Sequence, residues 1–130
     1  MKAHEHTELF ETQLSTNWFD DSGVLCGLSK KSDRTINHYY ELIDLFKQLT
    51  KDRGRLCLLV DANNSSYMSE EIIKYTSVEY PKYLKAMAIV STTTFENTQV
   101  NTFLKLTFAN FPVMRFSNEL EARAWLKDYL

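Results

Sequence analysis

Short polar residues occur in three stretches that each follow an apolar run of the sequence. Hydroxyl, amide and carboxylate groups of this kind could bind an anion or a polar head group at the edge of a sheet. The same residue types cap helices, so a structural interpretation needs no ligand. No glycine-rich phosphate loop accompanies them. The candidate edge residues are Asp61, Asn63, Asn64, Ser65, Ser66, Thr92, Thr93, Thr94 and Ser117, with Ser91 and Asn118 beside them.

Nucleophilic catalysis requires a Ser or Cys beside a His or Lys base that a third group orients, and the sequence does not indicate such a group. Cys26 and Cys57 each lie within an apolar run and are interpreted as free buried thiols. His4 and His6 flank Glu5 in a polar N-terminal stretch, where they predict at most a weak metal contact. We therefore expect no enzyme, no metal site and no cofactor.

The composition is that of a globular protein. The chain has 130 residues, 44% of them hydrophobic and 25% charged, which predicts one domain over residues 1–130 with a flexible tail at 1–7. A net charge of −2 does not favour nucleic acid as a partner. No apolar stretch approaches the roughly 20 residues of a membrane span, and the polar N-terminus does not resemble a secretion signal. We expect a cytoplasmic protein without integral membrane association.

The elements that would position these residues begin with an antiparallel hairpin. Strands are predicted at about Leu9 to Phe19 and at Val24 to Leu28, joined by a turn at Asp20 to Gly23. A helix from about Thr35 to Asp52 follows, because its apolar residues recur at helical spacing, and Gly54 is placed to end it.

Apolar runs and helical patterns then alternate along the chain. Ser69 is predicted to cap the second helix, and Pro81 to mark its exit. Buried strands are predicted at Leu56 to Val60 and Ala86 to Val90, and a short strand at Val113 to Phe116. Further helices are predicted at about Phe95 to Phe108 and Asn118 to Leu130. The order β-β-α-β-α-β-α-β-α predicts an α/β fold with a single mostly parallel sheet and an antiparallel N-terminal hairpin.

The second half of the chain contains several distinctive runs: KAMAIVS at 85–91, NTFLKL at 101–106, FPVMRFSN at 111–118 and EARAWL at 121–126. In these runs, and over about Leu56 to Leu126, the chain resembles SpoIIAA-like bacterial proteins. These are grouped with STAS domains, which include anti-sigma-factor antagonists, and are also likened to CRAL-TRIO lipid-binding domains. The resemblance implies a bacterial regulatory domain of SpoIIAA-like fold that docks on a protein partner and is not an enzyme.

In the anti-sigma antagonists a kinase switches docking by phosphorylating a Ser or Thr at the start of the helix after the central strand. The resemblance makes Ser69 the possible phosphosite by position. Glu70 stands where the family has a glycine, and no Asp precedes Ser69 in the family manner.

Two further possibilities remain open. The CRAL-TRIO likeness implies a carrier of a lipid or other hydrophobic small molecule as an alternative function. An exposed edge of the opening hairpin would favour a homodimer through strand pairing. Five aromatic residues would mark a protein or lipid contact if they were exposed together, namely Trp18, Phe19, Tyr67, Tyr80 and Tyr83.

Overall fold

The computed structural model describes residues 1–64, 68–92 and 112–130. The strands are β1 (Phe10–Glu11), β2 (Ser15–Phe19), β3 (Leu25–Ser29), β4 (Leu56–Asp61), β5 (Leu84–Val90) and β6 (Val113–Phe116). They form a six-stranded sheet in which the strands lie in sequence order. β1, β2 and β3 pair antiparallel, whereas β3, β4, β5 and β6 pair parallel. The predicted α/β fold with one mostly parallel sheet and an antiparallel N-terminal hairpin is confirmed.

The described helices are α1 (Ile36–Thr50), α2 (Glu70–Tyr83) and α3 (Glu119–Leu126). A 3-10 turn at Lys127–Tyr129 follows α3, so the helix predicted to reach Leu130 is shorter than expected. Asn118 caps α3, and its side chain accepts a hydrogen bond from the Glu121 N–H at 2.9 Å. The helix predicted at about Phe95 to Phe108 lies outside the described residues.

The hairpin of β2 and β3 is formed as predicted, around a turn that Asp20 organises. Asp20 Oδ1 accepts hydrogen bonds from the N–H groups of Ser22 at 2.9 Å and Val24 at 3.0 Å. Gly23 has φ +86°, a conformation that glycine adopts without a steric penalty. The turn therefore depends on a short acceptor at its start and a glycine near its end.

The predicted strand at about Leu9 to Phe19 is divided into β1 and β2, which pair with each other. The division has a local cause, because the Thr12 hydroxyl accepts hydrogen bonds from the N–H groups of Leu14 at 3.2 Å and Ser15 at 3.1 Å. Side-chain bonds of this kind compete with a regular ladder and turn the chain. The sheet gains a short outer strand as a result.

The expectation that Pro81 marks the exit of the second helix was wrong by a few residues, since α2 continues to Tyr83. Proline has a helical φ, and in the last turn its missing N–H removes one hydrogen bond without preventing the turn. The helix ends at Leu84, whose N–H donates to Tyr80 O while its own backbone is already extended.

One face of the sheet packs against α1 and α2. Leucine, isoleucine and aromatic side chains fill this first cluster, because each helix presents one apolar stripe to strands whose alternate residues face it. The buried members are Leu14, Leu25, Tyr39, Leu42, Ile43, Phe46, Leu56, Leu58, Ala62, Ile72, Tyr80, Leu84, Met87, Ile89 and Val113.

The opposite face packs against α3 and the N-terminal segment. Its strands contribute small side chains, including Cys26, Cys57, Ala86 and Ala88, which allow α3 to lie close to the sheet. Ala122 and Leu126 of α3 are buried there, and Met1 and Ala3 pack against the same cluster. The first residues of the predicted tail therefore contact the second cluster. The flexibility of residues 1–7 stays a prediction.

Candidate functional site

The carboxyl edge of the parallel strands carries a hydrogen-bonded cluster that joins the end of β4 to the end of β5. Asp61 Oδ1 accepts hydrogen bonds from the N–H and from Nδ2 of Asn63, both at 3.0 Å. Asn63 Oδ1 accepts from the N–H of Thr92 at 2.9 Å and from its Oγ1 at 3.0 Å. These three predicted edge residues therefore lie together. Their polar groups hydrogen-bond to one another and connect the residues after β4 to those after β5.

The remaining predicted edge residues make other contacts. Asn64 Nδ2 donates to the carbonyl oxygen of Ser29, at the end of β3, over 3.4 Å. Ser117 is exposed between β6 and the cap of α3. Ser65, Ser66, Thr93 and Thr94 lie outside the described residues, so their part of the prediction is not addressed.

Ser69 is the N-cap of α2, as predicted. Its backbone is extended, with φ −68° and ψ 161°, and its Oγ accepts a hydrogen bond from the Ile72 N–H at 3.3 Å. Glu70 and Glu71 occupy the first turn, where carboxylates interact favourably with the positive helix end. A phosphate on Ser69 would lie close to both carboxylates. The function of Ser69 as a phosphosite stays a prediction.

Ser91 and Arg115 form a second polar contact at this edge. The N–H of Ser91 donates to Phe116 O at 3.1 Å, and its carbonyl oxygen accepts from Arg115 Nη2 at 3.1 Å. Ser91 is 0% exposed, and its hydroxyl has no hydrogen-bond partner within the part of the chain that the structure describes. Arg115 was not among the predicted site residues, because its contact with Ser91 depends on β6 lying beside β5 in the sheet.

Cys26 lies beside an ion pair between Asp20 and Arg123. Arg123 donates to Asp20 Oδ2, and its Nη2 lies 3.6 Å from Cys26 Sγ. Burial raises the pKa of the Cys26 thiol to about 11, and the Asp20 carboxylate adds to the effect. Burial also raises the pKa of Cys57. Both cysteines are free, as predicted, and both are protonated at neutral pH, which is unfavourable for a nucleophile.

A cleft of about 790 Å³ lies between the N-terminal segment, the β2–β3 turn and α3. Polar and charged side chains predominate in its lining. The lining residues are Lys2, His4, Glu5, His6, Thr7, Trp18, Phe19, Asp20, Asp21, Ser22 and Arg123. The histidines that predict a weak metal contact thus line this cleft, and among the described residues no group of three or more His, Cys, Asp and Glu is placed to hold a metal ion.

An apolar surface that we name the β6–α3 patch consists of Met114, Phe116, Trp125 and Tyr129. The ring centroids of Phe116 and Trp125 are 5.7 Å apart, and those of Trp125 and Tyr129 are 4.9 Å apart. These three aromatic residues are half-buried against the edge of the second face, and Met114, two residues before Phe116 on β6, is 46% exposed. The patch lies along β6, which is the outermost strand on its side of the described sheet.

The aromatic surface is therefore not the one that the sequence suggested. Trp18 and Tyr80 are buried in the two clusters, while Phe19 and Tyr83 are half-buried against the first. Tyr67 lies outside the described residues. The sequence placed Phe116 in a short strand, and nothing in its pattern showed that β6 would be the outermost strand.

None of the described helices combines the length and the apolar character that crossing a membrane requires. No curated protein matches the sequence. A solved structure of an uncharacterized protein of the DUF3478 family from Shewanella loihica PV-4, described as having a SpoIIAA-like fold, superposes with a TM-score of 0.59 at 15% identity, covering 97% of this chain and 98% of the other. The SpoIIAA-like fold that the resemblance implied is confirmed. The sequence profile of a domain of unknown function, DUF7793, matches residues 18–130, and the chain belongs to that family.

Proposed function

We propose that the protein is a non-enzymatic regulatory domain, similar in function to STAS anti-sigma-factor antagonists, that acts by docking on a partner protein. The observation that carries this proposal is the β6–α3 patch, where exposed Met114 and three half-buried aromatic residues with tilted ring contacts lie at the edge of the sheet. Aromatic and methionine side chains are enriched in the cores of protein interfaces. A contiguous apolar surface beside a strand edge is a typical docking site.

The backbone of β6 supports the same surface. Pro112 O and Phe116 O accept hydrogen bonds from Met87 N–H and Ser91 N–H of the β5 side. In a parallel ladder every second residue directs its N–H and C=O groups away from that neighbour, so Val113, next to Pro112, presents its backbone groups to the outer side of β6. An outer strand of this kind can pair with another chain.

The β6–α3 patch and the outer backbone groups of β6 together indicate what kind of segment a partner would contribute. An extended segment that pairs with β6 would place alternate side chains on the face that carries Met114 and Phe116. We propose that the partner contributes an extended segment with apolar residues at those alternate positions. Backbone hydrogen bonds would supply affinity, and the aromatic surface would select the apolar side chains.

The described polar residues support binding more than catalysis. Asp61, Asn63 and Thr92 hydrogen-bond to one another and stabilise two loops. The thiol groups of Cys26 and Cys57 have raised pKa values because they are buried, so they are poor nucleophiles at neutral pH. An enzyme would need a base within hydrogen-bonding distance of an activated nucleophile.

The lipid-carrier alternative has less support. The cleft beside the N-terminal segment is lined mainly by charged and polar side chains, which do not favour an acyl chain. The first cluster is filled by leucine, isoleucine and aromatic side chains, of which Phe46 and Leu84 are 0% exposed. Native mass spectrometry of the gently purified protein tests this alternative, because a co-purified lipid would add a mass of its own.

The test of docking compares two substitutions of exposed apolar residues. Met114→Lys puts a charge in the β6–α3 patch, and Val78→Lys makes the same kind of change on α2, where Val78 is 61% exposed and outside the patch. The tagged wild-type and variant proteins are incubated with lysate of the source organism, and captured proteins are quantified by mass spectrometry. We expect a partner that wild type and Val78→Lys capture and that Met114→Lys loses.

Equal capture by all three proteins would contradict a function of the patch in docking. Sedimentation velocity of the purified proteins tests whether the patch forms a homodimer. A wild-type homodimer that Met114→Lys converts to a monomer would show that a second copy of the chain covers the patch, in contradiction to a heterologous partner.

A further inference from the structure

Two tyrosine–carboxylate pairs lie where α1 and α2 pack together. Tyr40 and Asp44 of α1 are four residues apart, and so are Tyr75 and Glu79 of α2, a spacing that places each pair on one side of its helix. The rings of Tyr40 and Tyr75 make an edge-to-face contact, with centroids 5.0 Å apart and planes at 81°. We name these four residues the tyrosine cluster.

The tyrosine cluster is accessible to solvent, unlike the aromatic residues beneath it. Tyr40 is 47% exposed, Asp44 is exposed and Tyr75 is half-buried. Phe46 and Tyr80 make an aromatic contact of 5.8 Å between the same two helices, and both are buried. The accessible part of Tyr40 is a large apolar surface that ends in a hydroxyl, a combination that is enriched in protein interfaces.

The two carboxylates of the tyrosine cluster differ in their partners. Burial raises the pKa of the Tyr75 phenol, and the negative charges of Glu79 and Asp44 add to the effect because both lie near it. Glu79 is paired, since its Oε2 accepts a hydrogen bond from Lys82 Nζ at 2.7 Å. Asp44 makes no hydrogen bond or ion pair within the described part of the chain, even with Lys47 three residues further along α1. One carboxylate therefore binds a cation of the same chain, and the other does not.

We propose that the tyrosine cluster binds an arginine side chain of a partner protein, whose guanidinium stacks on the ring of Tyr40 and donates hydrogen bonds to the Asp44 carboxylate. A guanidinium suits both groups, because it is planar, stacks on aromatic rings and carries N–H donors in a fork that matches a carboxylate. The attraction between the cation and the ring adds to the ion pair. The net charge of −2 on the whole chain also favours a basic segment as the partner.

This surface is separate from the β6–α3 patch. Helices α1 and α2 pack on one face of the sheet, whereas α3 packs on the opposite face. The inference therefore does not depend on the proposed docking function, and a protein that has lost binding at one surface keeps the other intact.

The experiment titrates the full chain with three probes and follows amide and tyrosine ring chemical shifts. The first probe is a short capped glycine peptide with one central arginine. The second has citrulline in place of the arginine, which keeps the shape and removes the charge. The third is choline, a cation that stacks on aromatic rings but has no N–H donor for a carboxylate. We expect the arginine peptide alone to move the signals of Tyr40, Asp44 and Tyr75.

Three variants with exposed side chains assign the contacts. Asp44→Asn should weaken binding of the arginine peptide about threefold, the loss expected for an exposed ion pair. Tyr40→Leu should weaken it to a similar extent, because it keeps an apolar side chain and removes the ring. Asp128→Asn removes one exposed negative charge after α3 and should bind as wild type does. Thermal unfolding of each variant confirms that it is folded.

Several outcomes would overturn the proposal. Equal shifts with the arginine and citrulline peptides would show that charge is not recognised. Equal binding by Asp44→Asn and Asp128→Asn would show that the attraction comes from net charge alone. An equal response to choline would indicate a quaternary ammonium group, such as that of a lipid, instead of an arginine. Signals of the tyrosine cluster that do not move at millimolar arginine peptide would exclude the site.

Discussion

Arg123 on α3 and Asp20 in the β2–β3 turn form an ion pair across 103 positions of the chain. The pair ties the last helix to the opening hairpin, because Asp20 also accepts the hydrogen bonds that shape its turn. The Asp20 side chain is 15% exposed and that of Arg123 is 33% exposed, so water screens the pair only in part. Cys26 is buried beside the pair, and its Sγ also contacts Arg123, which adds a contact between α3 and the hairpin.

Breaking this pair should destabilise the protein measurably. We expect Arg123→Gln to lower the free energy of unfolding by about 1–2 kcal/mol, because it removes a charge-assisted hydrogen bond from a partly buried carboxylate. Urea denaturation followed by circular dichroism measures the change. Lys74→Gln is the matched control, since it breaks the exposed Glu70–Lys74 pair of 3.2 Å on α2 and should have little effect. Equal losses in both variants would contradict a special contribution of the Asp20–Arg123 pair.

The same carboxylate predicts how stability depends on pH. Burial raises the pKa of Asp20, but hydrogen bonds from Ser22, Arg123 and the Val24 N–H outweigh it and bring the pKa below its ordinary value of 3.8. A lowered folded-state pKa means that the unfolded chain binds more protons, so the contribution is complete above the unfolded pKa and is lost as pH falls through the folded pKa.

We therefore expect wild type to lose stability between about pH 5 and pH 2 more steeply than Asp20→Asn, which cannot titrate at this position. Chemical denaturation at several pH values measures the two slopes. Asp21→Asn, in the exposed part of the same turn, is the control for the loss of one negative charge there. Parallel curves for wild type and Asp20→Asn would show that Asp20 titrates alike in both states.

The sequence predicted the fold well where one local signal dominated. Apolar periodicity predicted α1, and the continuous apolar runs predicted β4 and β5, because burial on one or two faces determines those patterns. The break between β1 and β2 escaped prediction. It depends on the Thr12 hydroxyl bonding to backbone N–H groups nearby, a choice that composition and periodicity do not show.

The candidate sites were predicted less well, for a physical reason. Polar residues after strands predicted the edge where Asn63 and Thr92 meet, since parallel topology brings strand ends together. The contacts of Arg115 with Ser91 and of Arg123 with Asp20 join residues far apart in sequence. Such pairs depend on which strand lies at the edge of the sheet and on how α3 is rotated about its axis. The pattern of a single sequence shows neither the strand order nor this rotation.

A close approach between Asn17 and Gly27 gives a further prediction. The two residues are paired across β2 and β3, and a Cβ atom at position 27 would lie 3.0 Å from Asn17 Oδ1. Asn17 is fully buried, and its Oδ1 accepts from Ser15 Oγ at 3.1 Å while its Nδ2 donates to Phe10 O at 3.0 Å. The amide is held from both sides and cannot move away without losing these bonds.

We expect Gly27→Ala to lower the free energy of unfolding by about 1–3 kcal/mol through this overlap. The cost should be smaller in an Asn17→Ala background, where the obstructing oxygen is absent, and a double-mutant cycle measures that coupling. Additive losses would show that Asn17 is not the obstacle. Gly23→Ala is a useful contrast, because nothing lies within 4 Å of a Cβ there and its cost should come from φ +86° alone.

Ser69 allows its capping function to be separated from a phospho-switch. Its Oγ accepts the Ile72 N–H, so Ser69→Ala should cost about 1 kcal/mol of stability. Ser69→Asp should stay close to wild type, because an aspartate oxygen caps equally well. The added charge beside Glu70 and Glu71 partly imitates a phosphate.

If Ser69 is a cap alone, both variants should capture the partner of the β6–α3 patch as wild type does. Loss of capture in Ser69→Asp at unchanged stability would instead establish that charge at this position controls docking.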